Sequence, residues 1–121
     1  MAKILIIDDE SEVREMVSMM VESAGHSAVC SPNGKNALEI FKTQSFDLII
    51  TDILMPEKEG VETIIELKDL KPRIKIIAIS GGGSFGADTT LNLATLMGAN
   101  KTLAKPFVKK ELLDAISELL A

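Results

Sequence analysis

Hydrophobic positions along this chain switch between short unbroken runs and stripes of helical period. Ile4-Leu5-Ile6-Ile7, Leu48-Ile49-Ile50 and Ile76-Ile77-Ala78-Ile79 are unbroken, as expected of strands buried on both faces of a parallel sheet. They predict strands at residues 3–8, 47–52 and 75–80. Two less apolar segments, 26–30 and 101–104, add a second and a fifth strand. Between them, Val13, Met16, Val17, Met20 and Val21 fall at i, i+3, i+4, i+7 and i+8, which predicts a helix over 11–24 with one apolar stripe. Ser11 or Asp9 is placed to cap its start, and Gly25 to end it in the left-handed region. Asn33 opens a second helix with Ala37, Leu38, Ile40 and Phe41 inward. Val61, Ile64, Ile65 and Leu67 mark a third, stopped by Pro72. A fourth is expected at 88–97, closed by Gly98, and a last at 108–120 with Leu112, Leu113, Ile116, Leu119 and Leu120 inward.

Five alternations of strand and helix with short connections imply right-handed crossovers and an α/β fold, (βα)5, with helices on both faces of a parallel sheet. The 121 residues suit one domain spanning 1–121, without repeat or linker. Lys plus Arg number 13 against 18 Asp plus Glu, a formal net charge of −5, which argues against direct nucleic-acid binding. No run is long enough to span a membrane and no signal pattern opens the chain, so a cytoplasmic location is expected. A lone cysteine, Cys30, excludes an internal disulfide or a thiolate cluster. With no Trp or Tyr, the core is aliphatic, with Phe41, Phe46, Phe85 and Phe107 as its rings.

Chemistry concentrates at the strands' carboxyl ends, where open α/β sheets bind ligands. The first strand ends on Asp8-Asp9 and the third on Asp52, before a turn marked by Pro56. As the most apolar strands, the first and third should be adjacent, which brings three carboxylates together. Two carboxylates about 5 Å apart repel by roughly 3 kcal/mol at an effective dielectric near 20. A cation, for which Mg²⁺ is suited, or a shared proton makes such a pocket tenable; a solvated acidic loop is the plainer alternative. Ser80 closes the fourth strand with a hydroxyl and Lys105 the fifth with an ammonium. A metal site, a hydroxyl and a cation around one carboxylate are the parts needed to hold a phosphoryl group in line with a nucleophile.

Over essentially its whole length the chain resembles a bacterial two-component response-regulator receiver domain of the chemotaxis-regulator type. The resemblance rests on Ile6-Ile7-Asp8-Asp9-Glu10, Asp47-Leu48-Ile49-Ile50-Thr51-Asp52-Ile53-Leu54-Met55-Pro56, Ser80, Gly98-Ala99 and Lys105-Pro106-Phe107. It implies a flavodoxin-like sheet of strand order 2-1-3-4-5. It also implies that Asp52 is the phosphoacceptor, served by a sensor histidine kinase, a phosphotransfer protein or a small phosphodonor. Asp9, Asp52 and the Leu54 backbone carbonyl would bind Mg²⁺ directly and Asp8 through water. Lys105 would pair with the phosphoryl oxygens and Ser80 would hydrogen-bond one of them. A cis Lys105-Pro106 bond is expected, as is a change of partner preference on the face formed by helix 88–97, the fifth strand and the last helix. The domain's role is then signalling and not that of an enzyme, although it assists its own phosphorylation and dephosphorylation. The output partner is a separate protein or a C-terminal output domain missing from this chain, and the domain is a monomer or weak dimer.

Thr102 departs from the family pattern by standing where an aromatic switch residue is usual. Gly81-Gly82-Gly83-Ser84-Phe85-Gly86 departs by its three successive glycines, and is expected to be mobile until Asp52 is phosphorylated. That loop also admits a nucleotide- or flavin-binding reading, although no Gly-Lys-Ser/Thr follows it. An Asp-nucleophile phosphatase is the enzyme rival, but it needs an acid two residues past Asp52, where Leu54 stands. A receiver that is never phosphorylated is a further rival, opposed by the intact Asp8, Asp9, Asp52, Ser80 and Lys105 set. His26, after a helix-ending glycine, reads as structural, and Cys30 as a buried or half-buried apolar residue.

Overall fold

The computed structural model describes residues 1–53, 60–80, 98–105 and 107–121. Leu54, the Pro56 turn, the 81–86 loop with Phe85, the 88–97 helix and the Lys105-Pro106 bond lie outside them.

Five strands, β1 (Lys3–Ile7), β2 (Ser27–Ser31), β3 (Leu48–Asp52), β4 (Lys75–Ser80) and β5 (Lys101–Ala104), form one parallel sheet of order β2-β1-β3-β4-β5. The helices described are α1 (Ser11–Ser23), α2 (Gly34–Thr43), α3 (Gly60–Leu70) and α4 (Lys109–Leu120). Alternation along the strands divides the core in two. Leu5, Ile7, Ile49, Ile76 and Ala78 pack with Ala37, Phe41, Ile64 and Leu67 of α2 and α3. Ile4, Ile6, Leu48, Ile50, Ile77 and Ile79 pack on the other face with Val17 and Val21 of α1 and Leu112 and Ile116 of α4. β3 is buried at every position, as its unbroken apolar run requires.

Local details refine the sequence reading. Asn33 caps α2, its Oδ1 accepting from the Asn36 N–H at 2.8 Å, and Gly25 takes φ +92° after α1. The α1 cap is neither Ser11 nor Asp9 but Glu10, without a side-chain capping bond. The expected stripe on α1 is also narrower, because Met16 is 41% exposed while Val17 and Val21 are fully buried. Ile65 and Leu120 point outward as well. Cys30 is exposed on the edge strand β2 and not half-buried. His26 has a structural role, its Nδ1 accepting from the Ala2 N–H at 3.1 Å.

Candidate functional site

The site follows from strand register. β1 pairs with β3 so that Ile7 lies opposite Thr51, and one further step sets Asp8 beside Asp52. On the other flank β4 pairs with β5, Ser80 opposite Ala104, so that Lys105 leaves the sheet at the same rim. The Asp8 N–H still extends the ladder toward β2, donating to the Ser31 carbonyl at 3.1 Å.

Asp8 and Asp52 are buried, 2% and 5% exposed, while Asp9 and Glu10 face solvent. One carboxylate oxygen from each of these four residues lies within 4.8 Å of the others. Lys105 reaches into the cluster, its Nζ donating to Asp52 Oδ2 at 3.2 Å and to Asp8 Oδ2 at 3.3 Å. Its Nζ also lies 3.6 Å from Glu10 Oε1. At an effective dielectric near 20, repulsion between two carboxylates at such a separation is about 3 kcal/mol, and each contact with Lys105 returns about 5 kcal/mol before desolvation. The ammonium therefore holds the two buried acids together. Four carboxylates against one ammonium still leave three formal negative charges in the cluster.

Electrostatics show the strain at Asp8. Burial is the main force raising its pKa from 3.8 to about 6, with the Asp52 charge adding to the rise. The Glu10 N–H, which donates to Asp8 Oδ1 at 2.9 Å, and the Lys105 ammonium oppose it. Burial works against the charge of Lys105, but attraction to Asp52 and Asp8 outweighs it and raises the Lys105 pKa above its ordinary value.

Asp8, Asp9, Asp52 and Lys105 are thus brought together as their spacing predicted. Ser80 ends β4 at the same rim; its side chain and Leu54 lie outside what is described. Two residues were missed by sequence reasoning. Glu10 joins the cluster because its backbone is tied to Asp8. Arg14, one turn into α1, donates from Nη1 to the Asp8 carbonyl at 2.7 Å. Its position, four residues after Glu10 and beside the α1 stripe, is the signal that could have found it. The donor set is all oxygen, which suits a hard divalent cation. Opposed oxygens around Mg²⁺ stand about 4.2 Å apart, so small side-chain shifts would bring this cluster to that spacing.

Comparison with known proteins bears on the same residues. The sequence profile of the response regulator receiver domain matches residues 4–117. The chain is 33% identical over 121 residues to the chemotaxis protein CheY of Halobacterium salinarum, covering 99% of this chain and 98% of that one. It is 31% identical over 120 residues to the response regulator receiver protein CpdR of Brucella abortus, again covering 99% and 98%. Among solved structures, the response regulator TrrA of Thermotoga maritima, in complex with Mg²⁺ and BeF, superposes with a TM-score of 0.86 at 30% identity, covering 98% of this chain and 99% of that one.

Proposed function

This chain belongs to the response regulator receiver domain family, and on that premise we propose that Asp52 accepts a phosphoryl group in a Mg²⁺-dependent transfer. The family serves as signalling phosphoacceptor in two-component systems and interacts with histidine kinases and phosphotransfer proteins. The observation that carries the proposal is the bridge of Lys105 Nζ to Asp52 and Asp8 at 3.2 and 3.3 Å. An ammonium beside the buried Asp52 carboxylate supports this reading, because stabilisation of phosphoryl oxygens requires such a cation.

A carboxylate oxygen of Asp52 attacks phosphorus, and the bond to the donor's imidazole nitrogen or acyl oxygen breaks, its electron pair leaving with the donor. Asp9 and Asp52, with the Leu54 carbonyl, would hold Mg²⁺, and Asp8 would reach it through water. When bound, the ion supplies positive charge to phosphoryl oxygens and relieves the carboxylate repulsion. Lys105 then exchanges a carboxylate partner for a phosphoryl oxygen, and the Ser80 hydroxyl donates to another. Arg14 and the Glu10 N–H keep Asp8 in place throughout. Water attack at phosphorus then breaks the bond to the Asp52 oxygen, releases inorganic phosphate and returns Asp52 to its starting carboxylate.

The new charge at this rim alters β5, where half-buried Thr102 pairs with Ala78. Without an aromatic ring there to flip, output runs through the surface of β5 and α4. Incubation with acetyl phosphate and Mg²⁺, followed by intact-mass measurement, tests the proposal. One added phosphoryl group that EDTA prevents supports it; equal labelling in EDTA contradicts it.

A further inference from the structure

The opposite end of the sheet, where the strands begin, carries the reverse charge. Residues 68–75 read Lys68-Asp69-Leu70-Lys71-Pro72-Arg73-Ile74-Lys75, four cations against one acid in a chain of net charge −5. Beside this turn the carboxyl-terminal parts of α2 and α3 leave a cleft of about 510 Å³ whose lining includes Phe41, Lys42, Gln44, Phe46, Leu70 and Lys71. A smaller cleft of about 260 Å³ shares Lys42 and Leu70 but is also lined by Leu38, Glu66 and Asp69. The cationic lining therefore belongs to the larger cleft, where Lys42 and Lys71 face no acid among the described residues. Leu70 is 48% exposed, an aliphatic side chain at the junction of the two.

The cations here are arranged and not merely abundant. Lys71 Nζ donates to the Phe46 carbonyl at 3.0 Å, and Lys3 Nζ lies 5.2 Å from the centre of the Phe46 ring. That ring in turn stacks on Phe41 at 6.1 Å. The Lys71 ammonium is thus held in place with N–H donors left over, so a carboxylate arriving there need not freeze that lysine. Helix dipoles account for Lys42 and Lys68 in the last turns of α2 and α3. They do not account for exposed Arg73 and Lys75, which make no ion pair among the described residues.

We propose that this cleft docks an acidic segment of a partner protein, its carboxylates on Lys42 and Lys71 and one aliphatic side chain against Leu70. The cleft lies the length of β3, about 17 Å, from Asp52, beyond the reach of surface charge at physiological salt. Docking there is therefore independent of phosphorylation, a constitutive tether at one end of a domain that switches at the other.

Titration of the ¹⁵N-labelled chain with the peptide acetyl-Glu-Glu-Leu-Glu-Glu-Leu-amide tests this. Saturable amide shifts are expected at residues 41–46 and 70–71. Lys42→Glu should weaken binding about fivefold or more, and a peptide with serine in place of leucine should also bind more weakly. Beryllofluoride with Mg²⁺ should leave the Kd within about twofold, because no charge at Asp52 reaches the cleft. Shifts spread over lysines generally, or no saturable shift, would overturn the proposal. Tighter binding of oligo-dT at the same residues would overturn it in favour of a phosphate-polymer surface. A Kd that moves with beryllofluoride would refute the independence from Asp52. A chain that fails to phosphorylate would leave the peptide titration unaffected, so this test and that of the Asp52 assignment fail separately.

Discussion

Asp8→Asn isolates the electrostatic strain of the pocket. The substitution keeps an oxygen to accept the Glu10 N–H and leaves Lys105 its contact with Asp52, while removing one buried charge. The Asp8 pKa rises from 3.8 to about 6, chiefly through burial, so the folded chain binds this proton more tightly than the unfolded chain. Between those two pH values folding takes up a proton, and stability falls as pH rises. Asp8's contribution is fully present below pH 3.8 and lost above about pH 6. A rise of that size corresponds to roughly 3 kcal/mol. Solvent at the mouth, where Asp9 and Glu10 are exposed, screens part of it and leaves about 1–2 kcal/mol. In EDTA at pH 7.5, Asp8→Asn should therefore be about 1–2 kcal/mol more stable than wild type, and near pH 4 the two should converge. Urea unfolding followed by far-UV circular dichroism at several pH values measures the difference directly, and subtracting the two curves cancels the other carboxylates. Millimolar Mg²⁺ should shrink or reverse the gain, because wild type then binds the cation more tightly. An Asp8→Asn protein less stable than wild type without metal at pH 7.5, or a difference independent of pH, would refute the reasoning.

Mg²⁺ at millimolar concentration should raise the wild-type melting temperature by selective binding to the folded state; Asp52→Asn should blunt that rise, and an undiminished rise would place the metal elsewhere. Asn33→Ala removes the acceptor for the Asn36 N–H at 2.8 Å and should cost about 1 kcal/mol in urea unfolding. Gly98→Ala forces a side chain onto φ +124°, with its Cβ 3.1 Å from Lys68 Cγ. It should lose about 1–2 kcal/mol, visible as a lower melting temperature.

The strands were legible because a strand buried on both faces must be apolar throughout, and β1, β3 and β4 are. The adjacency of β1 and β3 followed from the same property, and with it the meeting of Asp8 and Asp52. What sequence could not supply was the orientation of side chains with equivalent periodicity. Met16 and Val17 both fit the α1 stripe, yet Val17 packs in the core with Ile4 and Ile6 while Met16 is 41% exposed. Cys30 was read as sheltered, but β2 is an edge with little packed beyond it. Glu10 and Arg14 went unnoticed for a different reason. Their roles depend on backbone geometry just past β1, where Asp8 bonds the Glu10 N–H and its own carbonyl accepts from Arg14. Spacing marks Arg14 only as a neighbour of Glu10 on the helix; it does not encode the bond to the Asp8 carbonyl.

Borohydride reduction after brief exposure to a phosphodonor and Mg²⁺ converts an acyl phosphate to an alcohol, and peptide mapping then locates the modified residue. Homoserine at position 52 alone, with none formed in Asp52→Ala, is the predicted result. Reduction at Asp8 or Asp9 instead, or no reduced residue although donor is consumed, would contradict the assignment of Asp52 as acceptor.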